Sequence, residues 1–521
     1  MKSKFQLISI LCIFVLLTAC SSKQPQATNA PLNESIFNYG TTAYGPQMGN
    51  AGLNPHENYS GWSTIRYGVG ETLFQFSETM ELKPRLASSY EQIDEYTVLI
   101  HLRDAIYFSS GRKMDGFAVK ECLEHLISVH DRAPLDLKIK EILATDTSIT
   151  IISEDKVPTL LNFLSDPYGA IIDMDYGTNG VTEDRNVAGT GPYIAYEITD
   201  NHIFLKKNEN YWAKEVKTDK VNVYTISDGD TLTLSLQSGQ MDATQGLPYS
   251  SMDLFTNNEK YTISSTDTSR AFFVAMNFTK PALQDIRVRK AISMAIDKEG
   301  FTSVLLKNNG SVAQGAFPSN FTFGNEYVSA PSFDLQQAKE LLSKAGWVDN
   351  NQDGIVEKDG EDLVIRWLTY PGRQELPLLA ESVQHTLKEI GIKVDIESTA
   401  NHLQVLSTNE WDIYASAFVT APTGDPTYFF TTHALKNSPK NRGGYVNEQL
   451  DQLASELLEE FDPQKRSQLA IEMQQIILDD YAFIFASHLK MSFVMKDNIK
   501  GFIAHPSDYY EITADLEVLK E

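Results

Sequence analysis

The residues of this 521-residue chain best suited to chemistry are an oxygen-rich loop, isolated histidines, and scattered arginines and aromatics. Asp349-Asn-Asn-Gln-Asp353-Gly354 puts oxygen donors at positions 1, 3 and 5 and a glycine at position 6 of a calcium-type loop. Position 12 should be a bidentate Glu, but it is Gly360, and Glu361 lies one residue late. The next segment, Leu363–Leu368, reads as a strand rather than an exiting helix, so a structural turn is expected. No His pair stands at zinc-protease spacing, and no Gly-x-Ser-x-Gly elbow occurs. Gly68-x-Gly70 lacks the third glycine of a dinucleotide loop and follows no clear strand. Carboxylates are plentiful, yet no pair stands out for acid–base work. The chain is therefore not expected to be an enzyme. An extracellular hydrolase is the alternative from a different class, and turnover assays on peptides or glycans discriminate it.

Where such residues act is set by the amino terminus. Lys2 and Lys4 precede an almost wholly apolar run over residues 5–17, and small residues then lead to Cys20. That is the layout of a secretory signal, too short and wrongly flanked for an ordinary membrane span. Leu17-Thr18-Ala19-Cys20 resembles the lipobox of bacterial lipoproteins, which implies cleavage before Cys20 and lipidation of its thiol. At about 0.8 kcal/mol per buried CH₂, two or three acyl chains hold a protein on a membrane. The polar stretch that follows cannot bury a core and reads as a flexible tether over residues 20–35. No later run approaches the length of a membrane span. Cys12 leaves with the signal and Cys20 takes the lipid, so only Cys122 remains and the body holds no internal disulfide. Cys122 lies in an apolar helical pattern with Val119, Leu123 and Leu126, the setting of a buried core thiol. The formal net charge of −25 argues against nucleic acid and against a peripheral grip on anionic lipid.

The body is too long for one core, so two or more lobes are expected. Tyr96–Leu102, Ser148–Ile152 and His202–Leu205 read as strands. Asp115–Ile127 has helical spacing with Asp115 as N-cap. Ile286–Ile296, Asp334–Ala345, Glu375–Ile390 and Asn447–Glu460 read as helices, with strands at Leu363–Leu368 and Lys393–Ile396 between them. Strands alternating with helices indicate α/β lobes.

Several phrases resemble, in order, the extracytoplasmic substrate-binding proteins of peptide and nickel ABC importers (bacterial solute-binding protein family 5). They are Leu53-Asn-Pro-His56, Glu71-Thr-Leu-Phe74 and Lys83-Pro-Arg-Leu-Ala-Ser-Ser-Tyr90, then Thr97 to Gly111 and Gly189-Thr-Gly-Pro-Tyr193. Lys207-Asn-Glu-Asn-Tyr-Trp212, Leu236 to Asp242, Asn277, Ile286 to Asp297, Ala338 to Trp347 and Gly424-Asp-Pro-Thr-Tyr-Phe-Phe430 follow. Most have plain structural readings: Gly189-Thr-Gly-Pro is a turn, and Asp425-Pro426 is a helix start.

The resemblance implies a two-lobed periplasmic-binding-protein-like fold (type II, large peptide/nickel-binding class) with mixed sheets and the ligand between the lobes. The expected boundaries are a signal over 1–19, the tether over 20–35, lobe I over 36–270 with an extra subdomain at about 62–185, lobe II over 271–490, and a return to lobe I over 491–521. The implied partners are a membrane permease and its ATPase, and the protein is expected to be a monomer with no resident cofactor. Two ligand classes compete. Peptide binders of this family often carry an Asp three residues before the Asp of Gly-Asp-Pro, and here that position is Pro422. Asn-Pro-His near the start resembles nickel-type members, although the arginine that such members place before a Pro-aromatic step is absent from Asp166-Pro167-Tyr168. The preferred ligand is a metal chelate, nickel or a related metal such as cobalt or zinc with a histidine-like or opine-type chelator, and the alternative is a short peptide. The resemblance places Trp62, Arg66, Tyr67, Arg132, Arg270, Thr423, Tyr428, Arg442 and Tyr445 toward the ligand, with His433 and His56 as candidate metal ligands.

Overall fold

The computed structural model describes residues 34–45 and 52–520. The signal and Cys20 lie outside the described residues, as does most of the tether. No described helix is long and apolar enough to cross a membrane.

Local chemistry starts the helices. Asp115, Asp228, Asp334, Asn447 and Asp462 each stand one residue before a helix, and their side-chain oxygens accept backbone N–H bonds from its first turn. Asp115 caps Gly116–Val129, whose inner face buries Val119, Cys122, Leu123 and Leu126. Burial pushes the Cys122 thiol up to about 12, so it is an inert core group.

One mixed sheet of 11 strands runs through the body. In spatial order its strands begin at Lys393, Val364, Ile413, Tyr261, Phe483, Ala243, Ile36, Lys220, His202 and Tyr193, and Gly310–Val312 pairs with the strand from Phe483. The two central strands, Tyr261–Met276 and Phe483–Lys496, are 16 and 14 residues long and join the two wings of the sheet. Their antiparallel ladder shifts register twice near the middle, and the wider break comes first. Pairing runs to Asp267 opposite Lys490 and resumes at Ala271 opposite His488, which leaves Thr268, Ser269 and Arg270 facing Leu489 alone. Such a bulge bends a strand and re-aims side chains.

Each wing has its own core. The first holds Phe37, Tyr39, Tyr67, Leu123 and Ile172, and the second holds Val288, Ile292, Trp367, Leu379 and Leu387. A third cluster joins them, with Ile65 and Phe76 of the first wing against Phe273, Phe429 and Phe485. A four-stranded antiparallel sheet over residues 87–153 packs on the first wing under the Cys122 helix. The chain's end also returns there: Ile512 N–H donates to Arg66 O at 2.8 Å, and Thr218 Oγ1 donates to Leu516 O at 2.8 Å.

One of the sequence phrases is explained by close backbone approach. A Cβ on Gly189 would stand 2.2 Å from Val69 O, and one on Gly191 would stand 2.2 Å from Gly68 O, so the Gly-Thr-Gly step is a packing requirement. The stretch from Asp349 is a hairpin turn. Asp349 Oδ2 accepts from Gly354 N at 3.1 Å, Glu357 Oε1 accepts from Asn350 N at 2.9 Å, and Glu357–Lys358 pairs with Glu361–Asp362.

Candidate ligand-binding site

The bulge in the central ladder opens on a cavity of about 430 Å³ between the two wings, within the range of small-molecule sites. The first wing supplies Arg66, Gln245 and Tyr249, and the returning chain supplies Asp508. Arg270 and Lys490 come from the two central strands, and Asn309, Arg373 and Glu375 come from the second wing. Four cations thus meet two carboxylates, in a chain whose net charge is −25.

The arginines are in different states. Arg66 ends the helix Ser60–Arg66 and is committed to its neighbours. Its Nη2 bonds Asp508 Oδ2 at 2.5 Å, its Nε donates to Asp508 O at 2.9 Å and lies 3.4 Å from Glu511 Oε1, and its guanidinium lies over Trp62 at 4.8 Å. Burial works against its charge, but Asp508 and Glu511 outweigh it and hold the guanidinium above its ordinary range. Arg270 has no hydrogen bond or ion pair through its guanidinium among the described residues. Burial, and then the charge of Arg373, pull it down to about 10. Arg373 likewise has no ion pair among the described residues. Glu375 Oε1 accepts from the Tyr249 hydroxyl at 2.5 Å, while its Oε2 is buried with no partner. Asp508 Oδ1 is also buried and unpartnered.

Of the residues the sequence pointed to, the cavity gathers Arg66 and Arg270. The others, Arg442 among them, lie outside it. Trp62 packs edge-on against Tyr509 at 4.9 Å, close to a second cluster in which Arg132 bonds Asp166 at 3.1 Å and Asp136 at 3.2 Å and covers the Tyr168 ring. Tyr428 approaches Arg132 from the other wing: burial raises its hydroxyl, and the nearby Arg132 charge opposes that rise without cancelling it. Thr423 O accepts from Asn162 Nδ2 at 2.9 Å, and Pro422 O accepts from the Tyr509 hydroxyl at 2.6 Å, so the Ala421–Gly424 turn is tied to the opposite wing through its backbone. Tyr67 is a core residue of the first wing, fully buried. Tyr445 is buried and donates to Asp480 Oδ2 at 2.7 Å, and His433 is walled in by Phe273, Phe418 and Phe429. Burial, then Lys440 and Arg442, push the His433 imidazole down to about 3, and its Nε2 has no partner. His56 Nδ1 faces His125 Nδ1 at 2.8 Å, with Cys122 Sγ 3.6 Å from its Nε2; burial, then His125, lower it to about 3. Among the described residues no group of three or more His, Cys, Asp or Glu is placed to hold a metal ion.

Sequence reasoning missed Arg373, Glu375, Tyr249, Lys490 and Asp508. One signal was available. Val364–Thr369 runs parallel to both Lys393–Ser398 and Ile413–Val419, and Arg373 and Glu375 lie just beyond its carboxyl end, where open α/β sheets bind ligands.

The profile of bacterial extracellular solute-binding proteins, family 5 (middle region), matches residues 81–441. The chain belongs to this family. As a member it is an extracellular solute-binding protein with the family's two-lobed mixed α/β fold, and its wings are the two lobes. The nickel-binding protein NikA of Staphylococcus aureus is 26% identical over 453 residues, 86% of this chain and 89% of that protein. A structure of that NikA in complex with Ni(L-His)2 superposes with a TM-score of 0.73 at 24% identity, covering 93% of this chain and 100% of the other. The nickel ABC transporter structure from Bacillus halodurans gives a TM-score of 0.80 at 27% identity, with 93% and 100% coverage. The dipeptide-binding protein DppE of Bacillus subtilis is 27% identical over 351 residues, 63% of this chain and 60% of that protein.

Proposed function

We propose that this protein is the capture subunit of an ABC importer, taking a metal chelate, nickel or a related metal with a histidine-like or opine-type chelator, between its lobes and passing it to a permease and its ATPase. It acts as a monomer, without catalysis, held at the membrane by a lipid on Cys20. Lobe I spans 36–270 with its subdomain at about 62–185, lobe II spans 271–490, and residues 491–521 return to lobe I. The observation that carries the reading is Arg270, a guanidinium without a partner among the described residues at the junction of the lobes. An unpaired charge in a partly dry site is costly, and an anionic ligand supplies the missing partner. The metal is cargo held by its chelator. The cavity lining contains no histidine, so His433 and His56 are not needed as ligands in this scheme.

Binding shifts an equilibrium between open and closed lobes only by as much as the ligand favours the closed form. A micromolar ligand supplies roughly 8 kcal/mol in total. The Tyr509–Pro422 bond helps hold the closed form. Tyr509→Phe should shift the ligand-free balance toward the open form about fivefold, the worth of one hydrogen bond of about 1 kcal/mol. Small-angle scattering would read this as a larger radius of gyration, and an unchanged radius would remove that bond from the closure scheme.

The test of function is native mass spectrometry on the body from Ser21, purified from rich medium without chelators. Copurified nickel, cobalt or zinc with a small organic mass supports the chelate reading. A ladder of peptide masses without metal replaces it with peptide uptake.

A further inference from the structure

Three unsatisfied groups line one cavity with complementary needs. Among the described residues, Arg270 and Arg373 offer guanidinium donors with no carboxylate paired to them, while Glu375 Oε2 is a buried acceptor without a donor. Asp508 Oδ1 repeats the acceptor pattern beside Arg66. Arg270 stands on the bulged central strand, where its Cα pairs with Val419 on one side and its ladder to the other central strand is broken. Arg373 comes from the loop just before the helix Glu375–Glu389 of lobe II. Two like charges brought together from the hinge and a lobe oppose closure unless an anion lies between them. Arg270 responds to Arg373 more strongly than to any carboxylate around it, in keeping with that proximity.

We propose that Arg270 and Arg373 form a carboxylate clamp, and that Glu375 and Asp508 take N–H donors of the same molecule, so that the cavity selects amino-acid-type chelates over chelates that present carboxylates alone. The proposal rests on the chelate reading above and adds which groups on the cargo are recognised. A bis-amino-acid chelate carries both features, with carboxylate oxygens that accept from guanidinium and metal-bound amines that still donate N–H. An aminopolycarboxylate such as EDTA carries the carboxylates but no N–H. Its tertiary nitrogens would leave Glu375 Oε2 and Asp508 Oδ1 buried and unpaired, which is the strongest basis for discrimination in a polar site.

The test uses calorimetric titration of the mature body with two probes, Ni(II) with two equivalents of L-histidine, and Ni(II)–EDTA. The unaltered protein is expected to bind the histidine chelate at least tenfold more tightly. Arg270→Gln and Arg373→Gln should each weaken that binding by about 10- to 100-fold, the range for a hydrogen bond to a charged group. Glu375→Gln should narrow the preference for the histidine chelate over EDTA. A second readout separates recognition from folding. Because the Arg270 guanidinium has no hydrogen-bond or ion-pair partner among the described residues, ligand-free Arg270→Gln should melt no lower than the unaltered protein. Binding of the histidine chelate with unchanged affinity in both arginine variants overturns the clamp and leaves the capture function standing. Equal affinity for the two nickel probes overturns the N–H selection. Failure of the unaltered protein to bind Ni(II)–histidine overturns the proposal, and the copurified mass then decides separately whether a chelate with another chelator is the cargo.

Discussion

Asp425→Ala is expected to destabilise the protein by about 3–5 kcal/mol, the cost of leaving a buried charge without its partner. Asp425 and Arg466 form a fork-on-fork pair. Arg466 Nε donates to Oδ2 at 3.0 Å, and its Nη2 reaches Oδ1 at 2.8 Å and Oδ2 at 2.7 Å. Both side chains are about nine-tenths buried. The remaining guanidinium donors are also spent, with Nη1 on Leu457 O at 2.6 Å and Glu460 O at 2.9 Å. Removing the carboxylate strands a cation fixed to two backbone carbonyls, and it also frees Thr427 N, which Asp425 Oδ1 caps at 2.9 Å. Urea unfolding monitored by tryptophan fluorescence would show the loss as a lower midpoint. Asp425→Asn keeps the shape and the cap and should lose less. Combining Asp425→Leu with Arg466→Met should recover much of the loss, because an apolar pair leaves nothing uncompensated. A loss below about 1 kcal/mol for the alanine variant would show that water reaches Arg466 in place of the carboxylate. The consequence extends to the ligand site, because the same turn holds the Pro422 and Thr423 carbonyls against lobe I.

Asp425 also marks the boundary of what its sequence could say. The Gly-Asp-Pro phrase was legible as a capped helix start, and the cap on Thr427 is there. Its larger role depends on Arg466, 41 residues away on another helix, and nothing in the local pattern names that partner. The same division runs through the fold. The helix expected over Asp334–Ala345 is Leu335–Lys344 with Asp334 as its cap, and the one expected over Asn447–Glu460 is Glu448–Glu459 with Asn447 as its cap. These depend on periodicity and on side chains within a few residues. Trp62, Arg132 and Thr423, expected toward the ligand, lie outside the cavity, whose lining instead includes Arg373 and Glu375 from a loop that carries no phrase of its own. Long-range charge pairing decides which arginine is spent and which is free. Arg66 finds Asp508 at a separation of 442 residues, and Arg270 pairs with no carboxylate among the described residues.

That contrast makes Arg66→Ala a stability variant first, with an expected loss of about 3–5 kcal/mol at pH 8 from the buried acids it would abandon. Arg66 holds Asp508 and Glu511 in a buried corner where Glu511 is only 2% exposed. Burial lifts the Glu511 carboxyl to about 7 against the pull of Arg66, and the Tyr39 hydroxyl donates to its Oε2 at 3.0 Å. A carboxyl raised in the folded state binds its proton more tightly there than in the unfolded chain. Its contribution to stability is therefore complete below the unfolded value of about 4.5 and is lost as pH rises through about 7. For this one group the fall amounts to about 3 kcal/mol at most, since each pKa unit is worth about 1.4 kcal/mol. Without Arg66 the folded-state value climbs further, the window of falling stability extends above pH 7, and the variant should be penalised more at pH 8 than at pH 5. Glu511→Gln removes the titrating group and should flatten the dependence. Unfolding midpoints at pH 5, 6, 7 and 8 for the three proteins would decide it. An Arg66→Ala penalty that is constant with pH, or larger at pH 5, would mean that Glu511 does not titrate against Arg66. Arg66 would then be available, like Arg270, to meet a ligand carboxylate in the cavity.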